Sequence, residues 1–60
     1  MLGLPIIIKN DRLHKIIDER KPQGRFVSYE DTLWVAVDNR TGDAWTEDFN
    51  TLHEALEWLK

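Results

Sequence analysis

The 60-residue sequence has no cysteine, two prolines, three glycines, one methionine and two histidines. Without cysteine there is no disulfide staple, no thiolate nucleophile and no zinc knuckle. No apolar run approaches the 18 or so residues of a membrane span. The apolar start, Met1-Leu-Gly-Leu-Pro-Ile-Ile-Ile-Lys9, lacks the basic leader and small-residue cleavage site of a signal peptide. These absences lead to the expectation of a cytoplasmic protein without membrane attachment. Internal repeats, linkers, low-complexity tracts and a phosphate-cradling glycine loop are also missing. What is present is 42% hydrophobic and 32% charged, too apolar for a disordered tail. The expectation is one small domain over residues 1–60. A core this small, without a staple, is marginal, which makes a second copy or a partner protein a serious prior.

The net charge of -3 is unevenly placed. Residues 1–29 carry six bases (Lys9, Arg12, Lys15, Arg20, Lys21, Arg25) against Asp11, Asp18 and Glu19. Residues 30–60 carry eight acids (Glu30, Asp31, Asp38, Asp43, Glu47, Asp48, Glu54, Glu57) against Arg40 and Lys60. The first half is therefore +3 and the second -6. An acidic domain repels a phosphate backbone unless its bases gather on one surface.

Ile6-Ile7-Ile8 after Pro5 favours a short strand. Asn10-Asp11 supplies a helix cap, and Leu13, Ile16 and Ile17 form one apolar stripe. Arg20 and Lys21 suit the negative end of the helix dipole, and Pro22 with Gly24 stops it, which predicts a helix over about 11–21. From Arg25 the period becomes alternating. Phe26-Val-Ser-Tyr29 and Leu33-Trp-Val-Ala-Val37 read as strands joined by a turn of two or three residues around 30–32. Asn39-Arg40-Thr41-Gly42 reads as a type I turn followed by a left-handed glycine, a bulged hairpin leading into a strand from Ala44 to about Asp48. Asn39-Arg40-Thr41 is also a glycosylation triplet, read here as turn chemistry. Thr51-Leu-His-Glu54 is a capping box, and Leu52, Ala55, Leu56 and Leu59 make an apolar helical stripe behind it. The expected fold class is α+β with the order (β)αβββα: a three-stranded antiparallel meander packed against a C-terminal helix and an N-terminal helix.

The bulged turn implies a register in which Asp38 faces Ala44, Val37 faces Trp45, Val35 faces Glu47 and Leu33 faces Phe49. One face would then carry Leu33, Val35, Val37, Trp45 and Phe49, closed by the C-terminal helix. The other would carry Trp34, Ala36 and Thr46, joined by either Val27 and Tyr29 or Phe26 and Ser28. An aromatic patch on a second sheet face must be covered or used. Residues 2–8, a second copy forming a homodimer, or another protein could cover it. Trp58 lies about 110° round its helix from the centre of the apolar stripe, a boundary position. The candidate protein interface is accordingly Trp34, Tyr29, Ala36, Thr46 and Trp58.

Other chemistry is sparse. His14/Asp18 and His53/Glu57 have i, i+4 ligand spacing, but nothing brings the pairs together into a site of three or four ligands. Asp38-Asn-Arg-Thr-Gly-Asp43 has oxygens around a glycine without the alternating spacing or distant glutamate of a calcium loop. The carboxylate pairs Glu30-Asp31 and Glu47-Asp48 read as turn and strand-end residues. The expectation is no metal, no cofactor and no enzymatic activity. The order α-β-β-β-α resembles that of the double-stranded-RNA-binding domain, in element order only. That family implies a basic cluster at the start of the last helix, where this chain has Asn50-Thr-Leu-His-Glu54. The remaining alternative is a phosphate patch on the first helix made by Arg12, Lys15, Arg20, Lys21 and Arg25, without a stacking platform.

The stretch Ala36-Val-Asp-Asn-Arg-Thr-Gly-Asp-Ala-Trp-Thr-Glu-Asp-Phe49, with Thr51 and Ala55-Leu-Glu-Trp-Leu59, resembles a pattern in small uncharacterised proteins. Those belong to Gram-positive bacteria, their phages and mobile (conjugative) elements. The resemblance spans residues 36–59 and consists of turn, cap and core residues, so it carries over no catalytic residue. It implies an accessory protein of a phage or mobile element. The leading expectation is a small protein-binding modulator of a host factor, acting through the aromatic sheet face or the acidic surface. Nucleic-acid binding through the first helix and a structural or assembly role are the alternatives.

Overall fold

The structure, a computed structural model, describes residues 4–60. The elements are β1 (Ile6–Ile7), α1 (Asn10–Glu19), β2 (Arg25–Glu30), β3 (Leu33–Asp38), β4 (Trp45–Phe49) and α2 (Leu52–Trp58). The class is α+β, with a four-stranded mixed sheet in the order β1-β2-β3-β4. β1 joins the meander as a parallel edge strand, Ile6 beside Phe26 and Ile7 beside Val27. The pairing continues where the Ile8 N–H donates to the Val27 carbonyl at 2.9 Å. Parallel neighbours need a crossover connection, which commits α1 to one sheet face.

α2 takes the other face. Leu13 and Ile16 of α1 pack on Phe26 and Val37, with Ile8, Ile17 and Val35 at the margin. Ala55 in the middle of α2 and Leu59 at its C-cap pack on Val27 and Ala36, with Trp34, Phe49 and Leu52 around them. The sheet is thus a middle layer between α1 and α2, with a small core on each of its faces. Burial of apolar area on both faces is how so short a chain gains its hydrophobic stabilisation.

The β2–β3 hairpin has a two-residue loop, since Glu30 pairs with Leu33. Asp31 and Thr32 both have positive φ, 49° and 67°, as a primed hairpin turn requires. Of the two alternatives for the first strand, Val27 and Tyr29 therefore share the Trp34 face.

The β3–β4 register differs from the sequence expectation by one residue. Asp38 pairs with Trp45, Val37 with Thr46, Ala36 with Glu47 and Trp34 with Phe49. Gly42 is left-handed as expected (φ 85°), but Ala44 is too (φ 52°). Ala44 thereby belongs to the loop, the strand starts at Trp45, and a one-residue shift moves every β4 side chain to the opposite face. Trp45, Glu47 and Phe49 lie on the Trp34 side, while Thr46 and Asp48 lie with Val35 and Val37. The helix assignments invert as well. α2 closes the face of Trp34 and Ala36, and α1 closes the face of Val35 and Val37. Residues 4–8 run along the sheet edge and do not cover Trp34; Leu2 and Gly3 of that expected cover lie outside the described residues.

α1 ends near the expected place, with Arg20 as a left-handed cap (φ 57°) whose N–H bonds the Ile16 carbonyl at 2.7 Å. Its N-cap is Lys9, which makes no side-chain cap bond. Asn10 instead accepts a hydrogen bond from the buried Ser28 hydroxyl, pinning the start of the helix to β2. The α2 capping box forms as expected. The Glu54 N–H donates to Thr51 Oγ1 at 3.2 Å and the Thr51 N–H donates to Glu54 Oε1 at 3.2 Å.

Candidate interaction surfaces

Asn39 shows why the 39–44 loop takes this shape. Its side chain is fully buried. The amide Nδ2 donates to the Pro22 carbonyl at 2.9 Å, and Oδ1 accepts from the Ala44 N–H at 3.0 Å. Backbone bonds join Asn39 and Gly24 in both directions, at 2.7 and 3.2 Å. Asparagine here ties the segment after α1 to the loop before β4, which accounts for the triplet as structural. The carboxylates of that loop are also engaged. Arg40 Nε and Nη2 donate to Asp38 at 2.9 and 2.7 Å, holding the Asp38 carboxyl below its ordinary range. Thr41 Oγ1 donates to Asp43 at 2.7 Å.

The five expected interface residues divide. Tyr29 and Trp34 meet with ring centroids 4.9 Å apart, and Phe49 and Trp58 with centroids 5.9 Å apart. Trp34 also pairs with Phe49 across β3 and β4, so an aromatic row crosses the sheet and ends on α2. Tyr29 is 52% exposed and Trp58 38% exposed, while Trp34 packs against the α2 core. Ala36 is fully buried beneath α2 and presents no surface. Thr46 is exposed but sits on the opposite face, a consequence of the shifted register.

Sequence reasoning placed Trp45 in the core. It is 64% exposed, on an edge strand whose residues are otherwise exposed apart from the half-buried Phe49. β4 is the last strand of the sheet, so its outer backbone edge has no strand partner among the described residues. Glu47 and Asp48 give that edge a negative charge, a common guard against indiscriminate strand pairing. No signal in the alternation could have exposed Trp45, because alternation fixes faces only once the register is known.

The five expected nucleic-acid contacts divide too. Arg12, Lys15 and Lys21 line one open groove of about 930 Å3 between α1 and the β1 edge, together with Lys9. Arg25 is elsewhere: its guanidinium donates to the Leu59 carbonyl at 3.0 Å, beside Leu4, Pro5, Leu56 and Lys60. Arg20 is exposed at the end of α1 and does not line the groove. Lys9 was missed, although Lys9, Arg12 and Lys15 recur every three residues, a spacing that gathers side chains on one side of a helix.

His14 takes Glu30 rather than Asp18 as its hydrogen-bond partner, and the Asp18 charge adds only the smallest of the effects on it. Its Nε2 lies 2.9 Å from Glu30 Oε1 and 3.0 Å from Oε2. The hydrogen bond and the charge of Glu30 raise the His14 pKa above its ordinary value. Glu57 pairs with Lys60 at 2.7 Å, and that bond lowers its pKa. No group of three or more His, Asp or Glu among the described residues could hold a metal ion, and no helix among them is long and apolar enough to cross a membrane.

Set against models of protein families, curated proteins and solved structures, the chain matches none of them.

Proposed function

We propose that this chain is a small protein-binding module that modulates a partner by accepting one of its strands along β4. The observation that carries this reading is Trp45, an exposed large aromatic on a free sheet edge, with Phe49 and Trp58 beyond it on the same face. Strand addition draws affinity from main-chain bonds and specificity from alternate side chains. Exposed tryptophans are the side chains that most often anchor such interfaces. Glu47 and Asp48 select a partner strand bearing lysine or arginine, since opposite charges across a strand pair are favourable. They also disfavour a homodimer built on β4. Any two-fold antiparallel pairing centred on this acidic pair sets carboxylate against carboxylate. The role of a phage or mobile-element accessory protein acting on a host factor is the biological setting this reading retains from the sequence.

The test compares baits. A partner captured from a bacterial cytosol by the wild-type chain should be lost with Trp45→Ala, with affinity falling about 30-fold. It should also be lost when Glu47→Lys and Asp48→Lys reverse the edge. Thermal unfolding of both variants should match wild type. A partner retained at full affinity by both variants would place the interface elsewhere.

The alternative of nucleic-acid contact through the first helix keeps Arg12, Lys15 and Lys21 on one groove, and Arg25 is turned toward α2.

A further inference from the structure

The groove between α1 and the β1 edge is chemically the opposite of β4. Its floor is apolar, made by Ile6, Ile8, Ile16, Pro22 and Phe26. Its rim carries four cations, Lys9, Arg12, Lys15 and Lys21, against two carboxylates, Asp11 and Glu19. None of those four cations takes part in a salt bridge among the described residues, whereas the lysine at the end of α2 and Arg40 do. Ile6 remains 55% exposed on a strand whose outer edge has no strand partner among the described residues. On a chain with net charge -3, a surplus of cations around exposed isoleucine is a local reversal of the overall field.

We infer that this groove is a binding site for an acidic peptide segment with apolar side chains from another protein, laid in extended form along the β1 edge. An extended segment alternates its side chains between two directions. One set, apolar, would rest on Ile6, Ile8 and the margin of Ile16 and Phe26. Acidic residues flanking them would reach Arg12 and Lys15 on α1 and Lys9 and Lys21 at the two ends. The groove suits this occupant better than a nucleic acid. A phosphate backbone makes no use of an apolar floor, the buried Phe26 offers no face for base stacking, and Asp11 and Glu19 repel a uniform polyanion. This inference is independent of the β4 reading, because the two surfaces lie on opposite edges of the sheet.

The experiment titrates three labelled probes into the full chain at low salt: a short peptide alternating leucine and glutamate, a polyglutamate of equal charge, and a single-stranded oligonucleotide. The alternating peptide should bind at least 10-fold more tightly than either of the others. Arg12→Glu with Lys15→Glu should weaken it at least 10-fold, and Ile6→Thr, which keeps a β-branched residue in the strand, should weaken it at least 3-fold. Far-UV dichroism and thermal unfolding should show each variant folded. Equal binding of polyglutamate would reduce the groove to a diffuse charge patch and overturn the inference. Tighter binding of the oligonucleotide would make it a nucleic-acid site. Peptide binding unchanged in the folded variants would move it off the groove.

Discussion

The two helices of this chain are held to the sheet in different ways, and the difference separates what packing does from what specific polar bonds do. α1 closes a core of Leu13, Ile16, Phe26 and Val37, and it is fastened at its start by the bond from the buried Ser28 hydroxyl to Asn10, without a side-chain cap of its own. α2 closes Val27, Ala36 and its own Ala55 and Leu59. It is fastened by a capping box at its exposed N-terminus and by the Arg25 guanidinium on the Leu59 carbonyl at its end. The α1 layer therefore depends on a contact between distant residues, while the start of α2 is organised within four successive residues. The edges differ likewise: apolar and cationic at β1, aromatic and acidic at β4.

Emptying each core in turn perturbs the two layers most strongly. Leu13→Ala and Leu59→Ala each remove a fully buried leucine and should each cost about 2–5 kcal/mol by chemical denaturation. A single transition, coincident for probes in both layers, would show that they form one cooperative unit. Next in size, Asn39→Ala should cost about 2 kcal/mol, because it removes a fully buried amide together with its bonds to the Pro22 carbonyl and from the Ala44 N–H. Thr51→Ala removes only the local cap and should cost about 1 kcal/mol, read as a lower midpoint with an unchanged denaturant slope.

The smallest effect is pH-dependent and concerns the His14–Glu30 contact on the α1 side. The His14 pKa is raised in the folded state by Glu30. The stabilisation this contributes is fully present below pH 6.5, the ordinary histidine value. It is lost as the pH rises through the raised folded-state pKa. An NMR titration of the His14 ring should give a midpoint above the ordinary histidine value, and Glu30→Gln should return it toward that value. An unmoved midpoint in the variant would break the His14–Glu30 link between α1 and β2.

Much of this fold was legible from local chemistry. The capping box, the helical stripe of Leu52, Ala55, Leu56 and Leu59, and the left-handed Gly42 depend on neighbours in sequence; the box and Gly42 form, and the stripe is buried at Ala55 and Leu59 and half-buried at Leu52 and Leu56. The face assignments were not legible. Ala44 carries no side-chain preference for a left-handed conformation, which the Asn39 amide holds by accepting its N–H. That single residue flips β4, moving Trp45 from expected core to exposed edge and Thr46 away from Trp34. The placement of α1 was hidden for a related reason. It follows from a two-residue parallel strand, too short for periodicity to reveal. Of the expected interface, Tyr29, Trp34 and Trp58 sit on the aromatic row. Of the basic set, Arg12, Lys15 and Lys21 converge because they share one side of α1 or follow its end.

The helices lie on opposite faces of the sheet, which leaves Trp34 packed against α2 and Trp45 exposed. Methyl–methyl nuclear Overhauser contacts report this arrangement without any perturbation of the chain. They are expected from Val37 to Leu13 and Ile16, and from Val27 and Ala36 to Ala55 and Leu59. Contacts from Val37 to Ala55 or Leu59 would contradict it, because they would put α2 on the face assigned to α1.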